Sequence, residues 1–413
     1  MRRLIVLLTL GLLAASCGDD AATQPSDDVP TSAEAPSTTQ AGITTLPPTT
    51  TEPAPTTTEP PNTVAPAPTP PPTIAESLRE RVQTSGNLNG SAAARLRDDG
   101  TPVFAGDFAD PFVLPADGGF YLYATNTAAA NVPVVFANAG GGEYLGDGLP
   151  VLPEWTNSLW NWAPSVAEID GTYVLYYTTR HEASGRQCIS VATADAPGGP
   201  FVDDSTEPLV CSLDLGGSID PSPFVDADGS RWLLWKSDGN CCGIPTRIYA
   251  QPMTDDGLAF TGDPVELIRN DLGWERDVVE GPSMIEVDGE YHLFYSANRW
   301  DTPDYAVGRA VCESVTGPCV KDPEPWLSSE TLGAEGVLGP GGLEVVDLDN
   351  RVADLVVFHA WTGGEVGYET GQRALFIEPI RWSDGDPVIV GSLLPDEPLA
   401  GALSERVRRS STE

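Results

Sequence analysis

From about residue 100 to about residue 400 the chain repeats one arrangement of apolar and polar positions. A proline-marked apolar run leads into an acidic turn with glycine, and a run rich in aromatic residues follows. The copies are DPFVLPADGGFYLYATN (Asp110 to Asn126), APSVAEIDGTYVLYYTTR (Ala163 to Arg180), DPSPFVDADGSRWLLWKS (Asp220 to Ser237) and EGPSMIEVDGEYHLFYSAN (Glu280 to Asn298). A weaker fifth copy, GPGGLEVVDLDNRVADLVVFHAW (Gly339 to Trp361), has Asn350 in place of the turn glycine. Asp-Gly between β-branched and aromatic runs is hairpin chemistry, because glycine supplies positive φ at the tip. A second element follows copies two and four: ATADAPGGPFVDD (Ala192 to Asp204) and AVCESVTGPCVKD (Ala310 to Asp322). Each reads as a strand, a Gly-Pro turn and an outer strand. The copies recur roughly every 50 to 60 residues, a spacing that suits a four-stranded blade. The pattern predicts an all-β fold, a five-bladed β-propeller. A β-sandwich of repeated hairpins is the competing architecture, but it does not need such similar copies.

The flanks of the repeat follow other rules. Arg2 and Arg3 precede an apolar stretch from Leu4 to Leu13, the layout of a secretory signal. Ala14-Ala15-Ser16-Cys17 follows and resembles a bacterial lipobox, in which the cysteine carries the lipid. The alternative is an ordinary signal peptide with an incidental cysteine. Residues 18–73 hold almost only Pro, Thr, Ala, Ser and acids and lack the material for a core. Such chain extends ~3.1 Å per residue, enough to hold a domain over ~100 Å from a membrane. The expected organisation is a signal segment over 1–17 ending in lipidated Cys17, a stalk over 18–73, and an extension of uncertain role over 74–99. The propeller follows over 100–400 and a tail over 401–413. This places the protein outside the cytoplasm, membrane-bound only through its lipid and facing outward, and a monomer is expected.

Charge and cysteines narrow the partners. The formal net charge is −38, from 60 acidic and 22 basic residues, a field that repels nucleic acid. Ten Trp and 11 Tyr separate the chain from disordered acidic sequences. Six cysteines after Cys17, in an exported protein, point to disulfides. Cys312 and Cys319 flank the Gly317-Pro318 turn, and Cys188 and Cys211 bracket the equivalent element, so these pairs are expected. Cys241 and Cys242 remain. Adjacent Cα atoms lie ~3.8 Å apart, under the ~4.4 Å usual for a disulfide, so their fate stays open. Three histidines and no Cys-x-x-Cys argue against zinc.

In a propeller the first strand of each blade lines the central channel. The residue ahead of each proline motif would start that strand: Asp110, Ala163, Asp220 and Glu280. An acid before proline often only caps a turn. Three carboxylates aimed at one axis push their pKa values apart, which is what acid–base chemistry needs.

At these residues the sequence resembles family 43 of the glycoside hydrolases, the arabinanases, α-L-arabinofuranosidases and β-xylosidases. The resemblance covers roughly residues 103–392 and rests on ADPFV, WAPSV, SIDPSPFVDADG, VVEGPSM and GQRALFIEPIRW. It implies an inverting enzyme in which Asp110 is the general base, Glu280 the general acid, and Asp220 the acid that orients Glu280 and tunes its pKa. Arg373 is implied to bind substrate. Trp162 is either a sugar-stacking platform or a channel-wall residue, and Trp300 either lines the cleft or, as the favoured reading, is a buried blade contact. Many members carry a histidine after a Gly-x-Gly in the fifth blade, where it often helps hold calcium. Here that motif reads Gly339-Pro340-Gly341-Gly342, and His359, on a later strand, is not expected to replace it. No cofactor and no tightly bound calcium are therefore expected. The leading function is inverting hydrolysis of pentose-containing polysaccharides or oligosaccharides. A fructoside or galactoside hydrolase and a non-catalytic carbohydrate-binding lipoprotein are the alternatives.

Overall fold

Hairpin tips show why these strands pair as they do. Asp170 and Gly171 have φ of 51° and 83°, and Asp288 and Gly289 have 53° and 91°. Positive φ at both central positions matches the twist of the flanking strands. Ile169 therefore faces Thr172 directly, and Val287 faces Glu290. The structure, a computed structural model, describes residues 102–389 apart from 105, 117–118, 139–140, 348–353 and 384. The signal segment with Cys17, the stalk, the 74–99 extension, the 401–413 tail and Asn350 lie outside the described residues.

Five antiparallel sheets follow one another along the chain. Blade one is β1 (Phe112–Ala116), β2 (Gly119–Tyr123), β3 (Pro133–Asn138) and β4 (Gly141–Asp147). Blade two is β5 (Thr156–Ile169), β6 (Thr172–His181) and β7 (Arg186–Ala194). Its outer edge is not a fourth strand but single bridges, Thr193 to Val202 and Ile189 to Val210. Blade three is β8 (Ser218–Val225), β9 (Arg231–Ser237), β10 (Arg247–Pro252) and β11 (Val265–Arg269). Blade four is β12 (Val279–Val287), β13 (Glu290–Ala297), β14 (Ala306–Cys312) and β15 (Cys319–Lys321). Blade five is β16 (Leu338–Val346), β17 (Asp354–Thr362), β18 (Gln372–Ser383) and β19 (Asp386–Ile389). The five-bladed propeller predicted by the repeat is the fold.

The core is divided among the blade interfaces. Tyr123 meets Leu175 and Tyr177 between blades one and two, and Tyr176 meets Leu233 and Trp235 between two and three. Leu234 meets Leu293 and Tyr295 between three and four. Phe294 meets Phe358 between four and five, and Leu122 meets Leu375 between five and one. Middle strands are covered on both faces, so they read as continuous apolar runs instead of alternating ones. Leu233, Leu234 and Trp235 are all fully buried.

The last blade is tied to the segment ahead of the first. The Val103 N–H donates to Leu375 O at 2.8 Å, and the Phe108 N–H donates to Arg373 O at 2.8 Å. This seam brings Arg373 beside Asp110. Cys188–Cys211 and Cys312–Cys319 are bonded as expected. Cys241 and Cys242 are bonded to each other with Cα atoms 3.8 Å apart, so adjacency did not prevent the link.

Candidate active site

One backbone feature recurs at the inner end of every blade. Asp110, Ala163, Asp220, Gly281 and Gly342 have φ of 49°, 41°, 55°, 54° and 57°. Pro111, Pro164, Pro221, Pro282 and Leu343 come next. In blades two to five each pair is the irregularity where the first two strands shift register. This corrects the register read from sequence. Glu280 is not equivalent to Asp110 and Asp220, because Gly281 takes the left-handed position and moves the acid one residue earlier. Its equivalents are Ala109, Trp162, Ile219 and Gly341. All three acids nevertheless line one cavity of about 360 Å³, with Trp162, Trp300, Lys236, Tyr305 and Arg373 around them. That volume is in the usual range for small-molecule sites, ~300–1,000 Å³.

The second strand of each blade brings a polar side chain to the same level: Thr125, Thr178, Lys236, Ser296 and His359. Four of these accept the N–H of the left-handed residue in the next blade. Ala163 donates to Thr125 Oγ1 (3.0 Å), Asp220 to Thr178 Oγ1 (3.1 Å) and Gly342 to Ser296 Oγ (2.9 Å). Asp110 donates to His359 Nδ1 (3.0 Å), closing the ring. Lys236 breaks the series. The Gly281 N–H donates instead to Asp220 Oδ2 at 2.9 Å.

Asp110 is built to stay ionised. Burial is the largest single influence and opposes its charge, but the Arg373 guanidinium, with His359, the Thr125 hydroxyl and Lys236, together outweighs it and holds the carboxyl below the usual range. Arg373 Nη1 is 3.7 Å from Oδ2, and the Thr125 hydroxyl donates to the same oxygen at 2.7 Å. Arg373 is fixed in turn by donating through Nε and Nη2 to the Tyr368 hydroxyl at 3.1 and 2.7 Å. Its guanidinium lies 4.6 Å from the centre of the Trp300 ring. Trp300 stacks on Trp361 and keeps 40 % of its surface exposed in the cavity wall, the cleft-lining one of its two readings from sequence. Trp162 lines the cavity edge-on to exposed Trp160.

The acid side is organised differently. The Tyr305 hydroxyl donates to Glu280 Oε1 at 2.9 Å, and Lys236 Nζ donates to Oε2 at 3.0 Å. Burial pushes Asp220 up to about 7, with the charges of Glu280 and Asp110 adding to it and Lys236 opposing. The sequence reading made Asp220 the tuner of Glu280. In the structure Asp220 is itself strongly raised, and it touches the backbone beside Glu280 at Gly281.

The GPGG departure has a steric explanation. A Cβ on Gly341 would run into the Tyr305 ring. A Cβ on Gly342 would lie 2.8 Å from His359 Nδ1 and 2.9 Å from Asp110 Oδ1. His359, fully buried, therefore fills the room that a side chain at 342 would need. Its Nδ1 is already used by the Asp110 N–H. Burial pushes its pKa down to about 3, so it stays neutral. It offers no free lone pair at this spot for a calcium ion.

The sequence singles out none of Lys236, Tyr305 and Glu344, and gives His359 no place at the site. The one signal was positional: Lys236 ends an otherwise apolar run, where a lysine has no reason to be unless paired. Burial pushes the Glu344 carboxyl up to about 8, despite hydrogen bonds with Ser283 and Ser222. A raised carboxyl contributes stability only below its unfolded pKa of ~4.3, and loses it as pH rises toward 8. Glu344→Gln keeps a neutral polar group there. Its melting temperature is expected to exceed wild type by about 2–5 °C at about pH 8.5, and to match it at about pH 4.5. Glu344 is only half-buried, which limits the effect to that size. Thermal unfolding at both pH values checks the sign.

Comparison with known proteins gives the family. The family model for glycosyl hydrolases family 43 matches residues 100–387. A β-D-galactofuranosidase of Aspergillus niger is 27% identical over 264 residues, 59% of this chain and 73% of that protein. An α-L-arabinofuranosidase of Humicola insolens is 25% identical over 313 residues, 70% of this chain and 63% of that protein. The crystal structure of a thermostable family-43 glycoside hydrolase superposes with a TM-score of 0.62 at 29% identity, covering 74% of this chain and 98% of that one. With the family motifs, the five blades and the acid-lined cavity all in place, this chain belongs to family 43 of the glycosyl hydrolases and is a glycoside hydrolase.

Proposed function

We propose that the enzyme hydrolyses pentose-containing polysaccharides or oligosaccharides with inversion, Asp110 acting as general base and Glu280 as general acid. The observation that carries this reading is the opposite treatment of two acidic sites in one cavity. Arg373 and Thr125 help hold Asp110 ionised, while burial and the neighbouring Glu280 and Asp110 charges let Asp220, next to Glu280, keep a proton to about pH 7. Asp110 takes a proton from water as its oxygen attacks the anomeric carbon. Glu280 gives a proton to the leaving oxygen, and the glycosidic bond breaks. Asp220 fixes the backbone next to Glu280 by accepting the Gly281 N–H. Arg373 and the Trp300 and Trp162 rings are the contacts offered to sugar.

The arabinofuranosidase relative supports a pentose, and the galactofuranosidase relative supports a second reading, a galactofuranoside. Purified enzyme assayed on aryl α-L-arabinofuranoside, β-D-xyloside and β-D-galactofuranoside separates them. Turnover of the arabinofuranoside or xyloside is expected; turnover of the galactofuranoside alone would reverse the assignment.

We further propose that the enzyme acts as a monomer, tethered outside the cytoplasm by lipid on Cys17. The charged, apolar and small-residue run ending at that cysteine supports the tether. Cells fed a clickable fatty acid are expected to label the wild type and not Cys17→Ala. Equal labelling would remove the anchor.

A further inference from the structure

Lys236 is the residue that breaks the fivefold pattern, and the break has a chemical cause. Thr125, Thr178, Ser296 and His359 each accept a backbone N–H from the next blade. An ammonium has three donors and no acceptor, so it cannot fill that place. Asp220 supplies the missing acceptor, and the lysine is released toward Glu280.

The lysine is fully buried. Burial alone would favour the neutral amine, but Glu280, Asp220 and Asp238 hold it charged. Nζ donates to Glu280 Oε2 at 3.0 Å and Asn240 Oδ1 at 2.8 Å, and lies 3.8 Å from Asp238. The acidic cavity thus carries one cation per reacting acid, Arg373 beside Asp110 and Lys236 beside Glu280. Asn240 belongs to the short 3₁₀ turn Gly239–Cys242, which the Cys241–Cys242 bond closes. Both cysteines are exposed, while Gly239 is buried and backbone hydrogen bonds close the turn, Cys241 N–H to Asp238 O and Ile244 N–H to Gly239 O. The vicinal bond and the Arg186 guanidinium, which donates to Sγ of Cys242 at 2.6 Å, tie its exposed end.

We propose that Lys236 is a positioning residue for the glycosidic reaction: it aims Glu280 through Oε2, and is itself held by Asn240 on the turn closed by the vicinal disulfide. The proposal rests on the reading of Glu280 as proton donor. A packing role needs only the lysine stem, whereas this role needs the charge. The groups that face the Asp220–Glu280 pair are Asp110, Asp238, Tyr305 and Lys236, with Arg186 reaching it through Asp238. Lys236 is the cation in contact with the pair, so its removal leaves the pair holding its proton to higher pH.

The test combines a titration with a leaving-group comparison. Carboxyl ¹³C NMR follows the pair directly and needs no substrate. Lys236→Met is expected to raise the titration of the pair by on the order of one unit, carrying the alkaline limb of kcat/KM with it. Hydrolysis of a methyl glycoside should fall about 30-fold, and that of the 2,4-dinitrophenyl glycoside less than about 3-fold. Asn240 is exposed, so Asn240→Ala leaves the core intact. It and the double variant Cys241→Ser/Cys242→Ser should show the same leaving-group dependence at smaller size, with the lysine still present. An unmoved titration with equal losses on both glycosides in Lys236→Met, or wild-type behaviour in Asn240→Ala, would overturn the proposal. Glu280→Gln run in parallel separates the two readings. Loss of leaving-group dependence there refutes the acid assignment, while the titration shift still decides Lys236.

Discussion

Replacing Asp110 by asparagine is expected to lower kcat on the order of 10³-fold on every substrate, whatever its leaving group. The base acts on water, so the loss does not depend on how easily the aglycone departs. The variant should fold. Asparagine tolerates the left-handed backbone that Asp110 adopts, and blade two carries even alanine at the equivalent position with φ of 41°. The Thr125 hydroxyl can still donate to the amide oxygen, and Arg373 keeps Tyr368. Unfolding temperature should therefore change little while activity vanishes. The pH profile gives an independent check. Asp110 is held below the ordinary carboxylate range, so the acid limb should lie below ~3.9. Asp220, beside Glu280, gives up its proton as pH rises through about 7, so the alkaline limb is expected there. A wild-type profile that is flat below neutrality and falls near pH 7 fits. Retention of a tenth of the activity in Asp110→Asn would remove it as base.

The propeller was legible because its signal is carried by repetition. Asp-Gly tips and paired apolar runs recur with the blade, and each copy buries its faces against the next. What the sequence hid is set by single backbone angles. Asp110 and Asp220 stand directly ahead of proline, whereas Gly281 separates Glu280 from Pro282, an offset whose consequence the repeat alone does not show. Glycine at 281 takes the left-handed position and turns Glu280 toward Tyr305 and Lys236 instead. The same cause hid His359. From the chain alone the fifth blade lacks its imidazole, yet two glycines leave space that a histidine from β17 enters. Lys236 and Asn240 were illegible because their meaning depends on Glu280, 44 residues away from Lys236 in sequence. The vicinal disulfide was masked by a distance rule drawn from ordinary disulfides, which adjacent residues do not follow.

Glu280→Gln is expected to divide substrates by leaving group. On unactivated glycosides the aglycone departs as a poor alkoxide unless protonated, and the loss should be about 10²–10⁴-fold. On a dinitrophenyl glycoside the phenolate needs no proton, and the rate should stay within about 10-fold of wild type. Glutamine keeps the size and one acceptor for Tyr305, whose hydroxyl now meets Oε1 at 2.9 Å, so the cavity should survive. The same enzyme fixes the stereochemistry. Inverting glycosidases separate base and acid by ~6.5–9.5 Å to admit a water, and retaining ones by ~5–5.5 Å. Asp110 is on blade one and Glu280 on blade four, which are not neighbours in a ring of five. Blade five lies between them; its Gly341 and Gly342 carry no side chains at that level, and Tyr305 and His359 occupy the space beside those two glycines. Asp110 is also held by Arg373, Thr125 and the His359 contact to its N–H, an arrangement that fixes it as an acceptor. Water attack across the gap delivers oxygen to the face opposite the departing group. Proton NMR of the first-formed sugar should therefore show the inverted anomer before mutarotation. A retained anomer, or a glycosyl-enzyme trapped on Asp110 by a fluorosugar, would make Asp110 a nucleophile and end the single-displacement mechanism.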